Sequence, residues 1–185
     1  FVDLLIERAR KAPNEARDAR GEAGTEVHAL ISEVVALDDI DRAAFLMGSD
    51  APLAVSEALR FLADYGIEVI DTERVVWLPD LKVAGTIDGI GMRGGNVVIW
   101  DWKTSASVYW ETALQLGAYA KLLTRLTGVG VAAAFAVRLP RPGDDGGYEA
   151  KELSADSLRL AWEAYLSALR LKESSREDWW EATDA

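Results

Sequence analysis

The chain contains no cysteine, and that absence removes whole classes of chemistry. Disulfides, zinc–thiolate centres and cysteine-held iron–sulfur clusters are excluded. Histidine is nearly absent too: His28 stands alone. A metal ion would therefore rest on oxygen ligands with at most one imidazole, a donor set that suits magnesium or manganese. No uncharged apolar run reaches the roughly 18 residues of a membrane span, so no membrane partner is expected. The N-terminus lacks the apolar stretch of a signal peptide, and a cytoplasmic location is the expectation. The chain starts at Phe1, so a longer product is expected and missing targeting information weighs little. There is no GxxxxGK[ST] phosphate loop and no internal repeat.

Positive charge is also scarce, and the net charge is −11. That argues against a general nucleic-acid coat protein, which would be basic. It does not exclude an enzyme acting on DNA, because metal ions supply positive charge at the scissile phosphate. The charge is uneven. Arg8, Arg10, Lys11, Arg17 and Arg20 make the stretch from Glu7 to Arg20 locally basic, whereas the tail from Glu173 to Ala185 holds five acids and one arginine. What remains is 185 residues, half of them apolar, enough for one domain with a core. A single domain over 1–172 is expected, with 173–185 as a flexible acidic tail.

The richest stretch is VAGTIDGIGMRGGNVVIWDWKTS, residues 83 to 105. Two β-prone runs flank Gly94-Gly95, a pair that accepts positive φ at both central positions of a hairpin turn. A two-residue loop centred there sets Asp88 opposite Asp101 and Thr86 opposite Lys103. Opposed residues have Cβ atoms roughly 4.5–5.5 Å apart. Two carboxylates that close repel, and a shared cation or shared proton makes the arrangement tolerable. By strand alternation Asp101 and Lys103 share a face with Val97 and Ile99, while Trp100 and Trp102 point to the other face as core.

Residues 2 to 12 read as a helix. Thr25 to Leu37 repeats Val27, Leu30, Ile31, Val34 and Val35 at helical spacing, with Thr25 as N-cap. Pro52 opens a helix bearing Val55, Leu59 and Leu62 that ends near Tyr65-Gly66. A strand from Ile67 to Leu78, bent near Asp71-Thr72, precedes the hairpin. Tyr109 to Leu126 is an amphipathic helix stopped by Gly128; Val129 to Leu139 is an apolar strand. A short strand around Tyr148 to Leu153 and a helix capped by Ser154 close the order. The fold class is α/β, a central mixed β-sheet flanked by helices.

Four short motifs occur in order: GTEVH at 24–28, GTID at 85–88, IWDWKTS at 99–105 and QLGAY at 115–119. Together they resemble the RecB-like branch of the PD-(D/E)xK nuclease superfamily, over about residues 24 to 120. The resemblance implies a restriction-endonuclease-like core and carries over position by position. Asp88 and Asp101 would be metal ligands, the backbone carbonyl of Trp102 would complete the inner shell, and Lys103 would be the motif lysine. His28 resembles the helix-borne histidine that adds a ligand and favours manganese. Gln115 and Tyr119 match the QxxxY helix that positions DNA and the lysine. Some relatives hold an iron–sulfur cluster on four cysteines; this chain is similar instead to cluster-free, stand-alone members, as found in phages and mobile elements.

The implied activity is hydrolysis of DNA phosphodiester bonds with Mg2+ or Mn2+. The family points to an exonuclease in recombination, repair or phage DNA metabolism. Alternatives are a structure-specific or restriction-type endonuclease, a non-catalytic DNA-binding module on the same fold, and a hydrolase of another phosphoester such as a nucleotide. Lys103 would orient or deprotonate the attacking water, or stabilise developing charge. A lone histidine is most often structural, so His28 is a ligand only by the company it keeps. Glu73 reads as a surface strand residue, although some relatives use an acid there. Thr104, Tyr109 and Trp110 are further substrate-binding candidates, the two aromatics as base-stacking surfaces. Some relatives form rings around DNA; a homo-oligomer stays open, since nothing in the chain demonstrates a subunit interface.

Overall fold

A computed structural model of the chain describes residues 26–37, 45 and 53–174. The expected helix at 2–12, its basic residues, the Thr25 cap, Pro52 and the tail from 175 onward lie outside the described residues. Helix α1 (26–36) buries Ile31 and Val34, at the spacing its apolar pattern predicts. Helix α2 (Leu53–Asp64) buries Ala54, Val55, Ala58, Phe61 and Leu62 along one stripe and gives way to a turn at Tyr65-Gly66. Strand β1 (Glu68–Leu78) follows, then a 3-10 turn (Pro79–Leu81), β2 (Val83–Arg93) and β3 (Asn96–Lys103). Helix α3 (Glu111–Thr127) leads to β4 (Ala133–Arg138), β5 (Glu149–Ser154) and helix α4 (Ala155–Ser174).

The five strands form one sheet in the order β1-β2-β3-β4-β5. All neighbours are antiparallel except β3 and β4, which run parallel through the α3 crossover. The sheet is therefore mixed and flanked by helices, as the element order implies. On one face Val98, Trp100, Trp102, Phe135 and Val137 pack beneath α1 and α2. On the other, Ile87, Ile90, Ile99, Ala134 and Ala136 pack beneath α3, with Leu158 of α4 joining. Helices α3 and α4 touch closely at Gly117, where an added Cβ would lie 2.7 Å from the Ala161 Cβ. None of the helices among the described residues is long and apolar enough to cross a membrane.

The Gly94-Gly95 turn forms with φ of 56° and 79°, the doubly positive pair that a two-residue hairpin loop requires. The β2–β3 register is the expected one: Arg93 pairs with Asn96, Ile90 with Ile99 and Gly89 with Trp100. Trp100 and Trp102 are buried, 1% and 3% exposed. Ser154 caps α4, its Oγ accepting the Ser157 N–H at 3.3 Å. One boundary differs: β4 begins at Ala133 rather than Val129. Gly128 closes α3 with φ of 75°, and Val129 is half exposed, so apolar composition there serves the connection and not the sheet.

Candidate active site

The β2–β3 ladder stops at Gly89 and Trp100, and this is where the site lies. Continued in register, Trp102 would exchange backbone bonds with Ile87. Instead the Trp102 N–H donates to the Asp88 Oδ2 at 2.7 Å. The Asp88 carboxylate thus stands in for a ladder acceptor, and the two strands part into a fork. In an extended strand the N–H and C=O of one residue point to the same side, so the Trp102 carbonyl also faces the fork. The sequence sets Asp88 opposite Asp101 and Thr86 opposite Lys103, and backbone pairing does not extend to either position. The register is right, but pairing ends one step earlier, and Thr86 pairs only with Val75 of β1.

On the far side of Asp88, β1 is irregular. Its register with β2 shifts between Val69 and Asp71, close to the bend expected at Asp71-Thr72. Thr72 and Arg74 pair with Gly89 and Ile87, which places Glu73 opposite Asp88. Glu73 has a φ of 52°, a left-handed conformation that a non-glycine residue adopts only when its surroundings compel it. Glu73, Asp88 and Asp101 therefore lie in one row across β1, β2 and β3.

Helices close the site from both faces of the sheet. From α1, the His28 Nδ1 comes within 3.4 Å of the Asp88 Oδ2. Ligand atoms of His28, Glu73 and Asp88 lie within 4.8 Å of one another, a spacing a single cation can bridge. Asp101 is not part of that group; its Oδ2 meets the Lys103 Nζ at 2.6 Å. From α3, the Gln115 Oε1 accepts from the same Nζ at 3.1 Å, and the Gln115 Nε2 donates to the Tyr119 hydroxyl at 2.9 Å. Gly85 makes room for Tyr119: an added Cβ would lie 2.5 Å from its Cε1. Gln115 and Tyr119 are thus joined to Lys103 in one chain of hydrogen bonds.

The electrostatics carry the mark of crowded acids. Burial, and then the charge of Asp101, pushes Asp88 up to about 8. Asp101 is also raised, by burial, against the pull of Lys103. Burial raises Glu73 as well. His28 is held down to about 4, by burial first and by Lys103 second, so its imidazole is neutral at pH 7 and available as a ligand. The Asp101 Oδ2 is buried, with the Lys103 ammonium against it. A neutral imidazole and converging carboxylates fit a hard divalent cation.

Past β3, Thr104 is half-buried and Tyr109 and Trp110 are exposed. Tyr109 lines an open groove of about 640 Å³ with Lys103, Glu111, Thr112 and Gln115.

A model of the PD-(D/E)XK nuclease superfamily matches residues 3–185. The chain belongs to that superfamily. No curated protein matches it significantly. Among solved structures it is similar to that of SSO0001, at 16% identity and a TM-score of 0.33, covering 63% of this chain and 57% of that one. It is also similar to an alkaline exonuclease from Laribacter hongkongensis, at 13% identity and a TM-score of 0.36, covering 80% of this chain and 93% of that one. The chain thus spans little more than half the length of the first of these.

Glu73, expected as a surface strand residue, is an exposed residue of β1 that also lies within ligand reach of His28 and Asp88. Its signal was available in principle. A turn centred on Pro79–Lys82 sets β1 against β2 with Glu73 facing Asp88, just as the Gly-Gly turn sets Asp101.

Proposed function

We propose that this protein is a divalent-metal-dependent deoxyribonuclease of the RecB-like type that hydrolyses DNA phosphodiester bonds, working from ends. The observation that supports it most is the row of Glu73, Asp88 and Asp101 across three strands, flanked by His28 on one side and Lys103 on the other. His28, Glu73 and Asp88 would hold Mg2+ or Mn2+, with Asp101 and the Trp102 carbonyl beside them. Bound there, the cation would neutralise phosphate charge and lower the barrier to attack by water.

The chain's own groups do the rest. Lys103 is held by Asp101 and Gln115, where its ammonium can orient the attacking water or stabilise charge on the phosphate. Gln115 restricts the lysine's freedom, and Tyr119 restricts Gln115. His28, neutral at working pH, has no proton to lose on ligation. The end-directed mode follows the family resemblance and not any one residue.

The test is cleavage of end-labelled linear DNA, single- and double-stranded, beside covalently closed circles, in magnesium, manganese and EDTA. Metal-dependent loss of linear DNA that spares circles is expected. In Lys103→Ala the rate should fall about 10²–10⁴-fold, the range a positioned acid–base group supplies. Cleavage of closed circles would make the protein an endonuclease. DNA binding without cleavage in either metal, by folded protein, would make it a binding module.

A further inference from the structure

Two large aromatic side chains stand in solvent beside the site. Tyr109 is 58% exposed and Trp110 70%. Rings of this size usually gain stability by burial, so their exposure on an ordered segment asks for a partner. The segment that carries them is held along its length. Ser105 Oγ donates to the Ser107 carbonyl at 2.7 Å. The Arg138 Nε of β4 donates to the Ala106 carbonyl at 3.1 Å, and the Lys151 Nζ of β5 donates to the Val108 carbonyl at 3.2 Å. Arg138 is itself braced by Asp144 at 2.6 Å and Glu149 at 3.3 Å. Beyond Val108, the Tyr109 and Trp110 carbonyls accept the first amides of α3. Two strands and a helix therefore fix where the rings stand.

The groove that Tyr109 lines brings it together with Lys103, Gln115 and Glu111. A phosphate is attracted to Lys103 and repelled by Glu111. A strand laid in the groove would therefore turn its backbone toward Lys103 and its bases toward Tyr109. Aromatic rings bind bases face to face, whatever the sequence. A duplex hides those faces in its own stack; only unpaired nucleotides present them.

We propose that Tyr109 and Trp110 form a base-stacking platform that grips unpaired nucleotides next to the scissile phosphate and directs the site to single-stranded DNA or unpaired strand ends. This rests on the nuclease reading above and adds its substrate class. Stacking contributes about 1–3 kcal/mol per base, which corresponds to about 5- to 140-fold in affinity for each base.

The experiment is equilibrium binding, by fluorescence anisotropy, of a phosphorothioate-linked single-stranded oligonucleotide, a blunt duplex and an abasic oligonucleotide of equal length, in calcium. Wild type, Tyr109→Ala, Trp110→Ala, the double variant and Tyr109→Phe are compared, with folding checked by circular dichroism. The double variant should lose single-strand affinity about ten-fold or more and change duplex affinity less than two-fold. Wild type should bind the abasic strand as weakly as the double variant binds the normal one, and Tyr109→Phe should bind like wild type. Unchanged single-strand affinity in the folded double variant, equal losses on both substrates, or wild type indifferent to abasic sites would overturn the platform. If Lys103→Ala still abolishes cleavage in that event, the nuclease reading stands without it. A wild type that neither binds nor cuts DNA removes both.

Discussion

Lys103 is held from two directions. Its Nζ touches Asp101 at 2.6 Å and donates to Gln115 at 3.1 Å, while Gln115 is held in turn by Tyr119. A lysine has long, flexible reach, and restricting it is what turns a charge into a positioned reagent. Gln115 touches no acid of the site, so it works through Lys103. Groups that orient a functional residue from behind are worth about 10–100-fold when removed. Gln115→Ala should therefore lower kcat about ten-fold with KM little changed, measured by steady-state cleavage of a linear substrate, and Gln115→Glu should restore part of the loss by offering Lys103 an acceptor again. A pure rise in KM would mean that Gln115 contacts substrate and does not hold the lysine.

The element that makes the site is the fork between β2 and β3. Strands part where a side chain replaces the backbone in the ladder, and here the Asp88 carboxylate takes the Trp102 amide at 2.7 Å. Gly89 stands at the last paired step, with the Trp100 ring lying directly over it; a Cβ at 89 would overlap the indole. Trp100 is packed among the residues beneath α1 and α2 and has no room to retreat. Gly89→Ala should thus cost about 1–3 kcal/mol, the usual penalty of overpacking, read as a lower urea midpoint at unchanged slope. It should also depress cleavage beyond the effect on stability, because the fork opens at this residue. An unchanged midpoint would show that the indole swings aside freely and that the fork does not depend on this contact.

At the scale of the molecule, the site is a burden until a cation enters it. A carboxyl raised in the folded state holds its proton more tightly there than in the unfolded chain. Its contribution therefore favours the fold at low pH and weakens it as pH climbs from 3.8 to about 8, the window of Asp88. His28 acts in the opposite sense. Lowered from 6.5 to about 4, it resists protonation in the fold, so stability is lost as pH falls through that range. Above pH 6.5 Asp88 still titrates, and the metal-free protein should lose stability between pH 6.5 and 8. Manganese at about a hundred times its dissociation constant should restore about 2.7 kcal/mol, which is about 5–10 °C in Tm for a chain of this size. Thermal unfolding in EDTA and in manganese, at both pH values, measures this. Asp88→Asn should flatten the pH dependence in EDTA and remove the manganese shift; a metal-free Tm that rises over this range would contradict the burden.

Much of this protein is settled by local chemistry. Gly94-Gly95 determines a hairpin turn, the turn determines the β2–β3 register, and alternation along β3 sends Trp100 and Trp102 to one face and Asp101 and Lys103 to the other. Helical spacing determines which faces of α1, α2 and α3 are buried, and four spaced motifs place His28, Asp88, Lys103, Gln115 and Tyr119. These features follow from periods of 2 and 3.6 residues and from φ preferences, which act over a few neighbours. Only the tertiary structure decided where β2 and β3 part, that Glu73 turns in beside Asp88 through a left-handed φ, and that Asp101 faces Lys103 while His28 joins the other two acids. The physical reason is that a bulge, a fork and a strained residue are held by packing on both faces of the sheet. That packing sums contributions from α1, α2 and α3, far apart in the chain, and no local period records it.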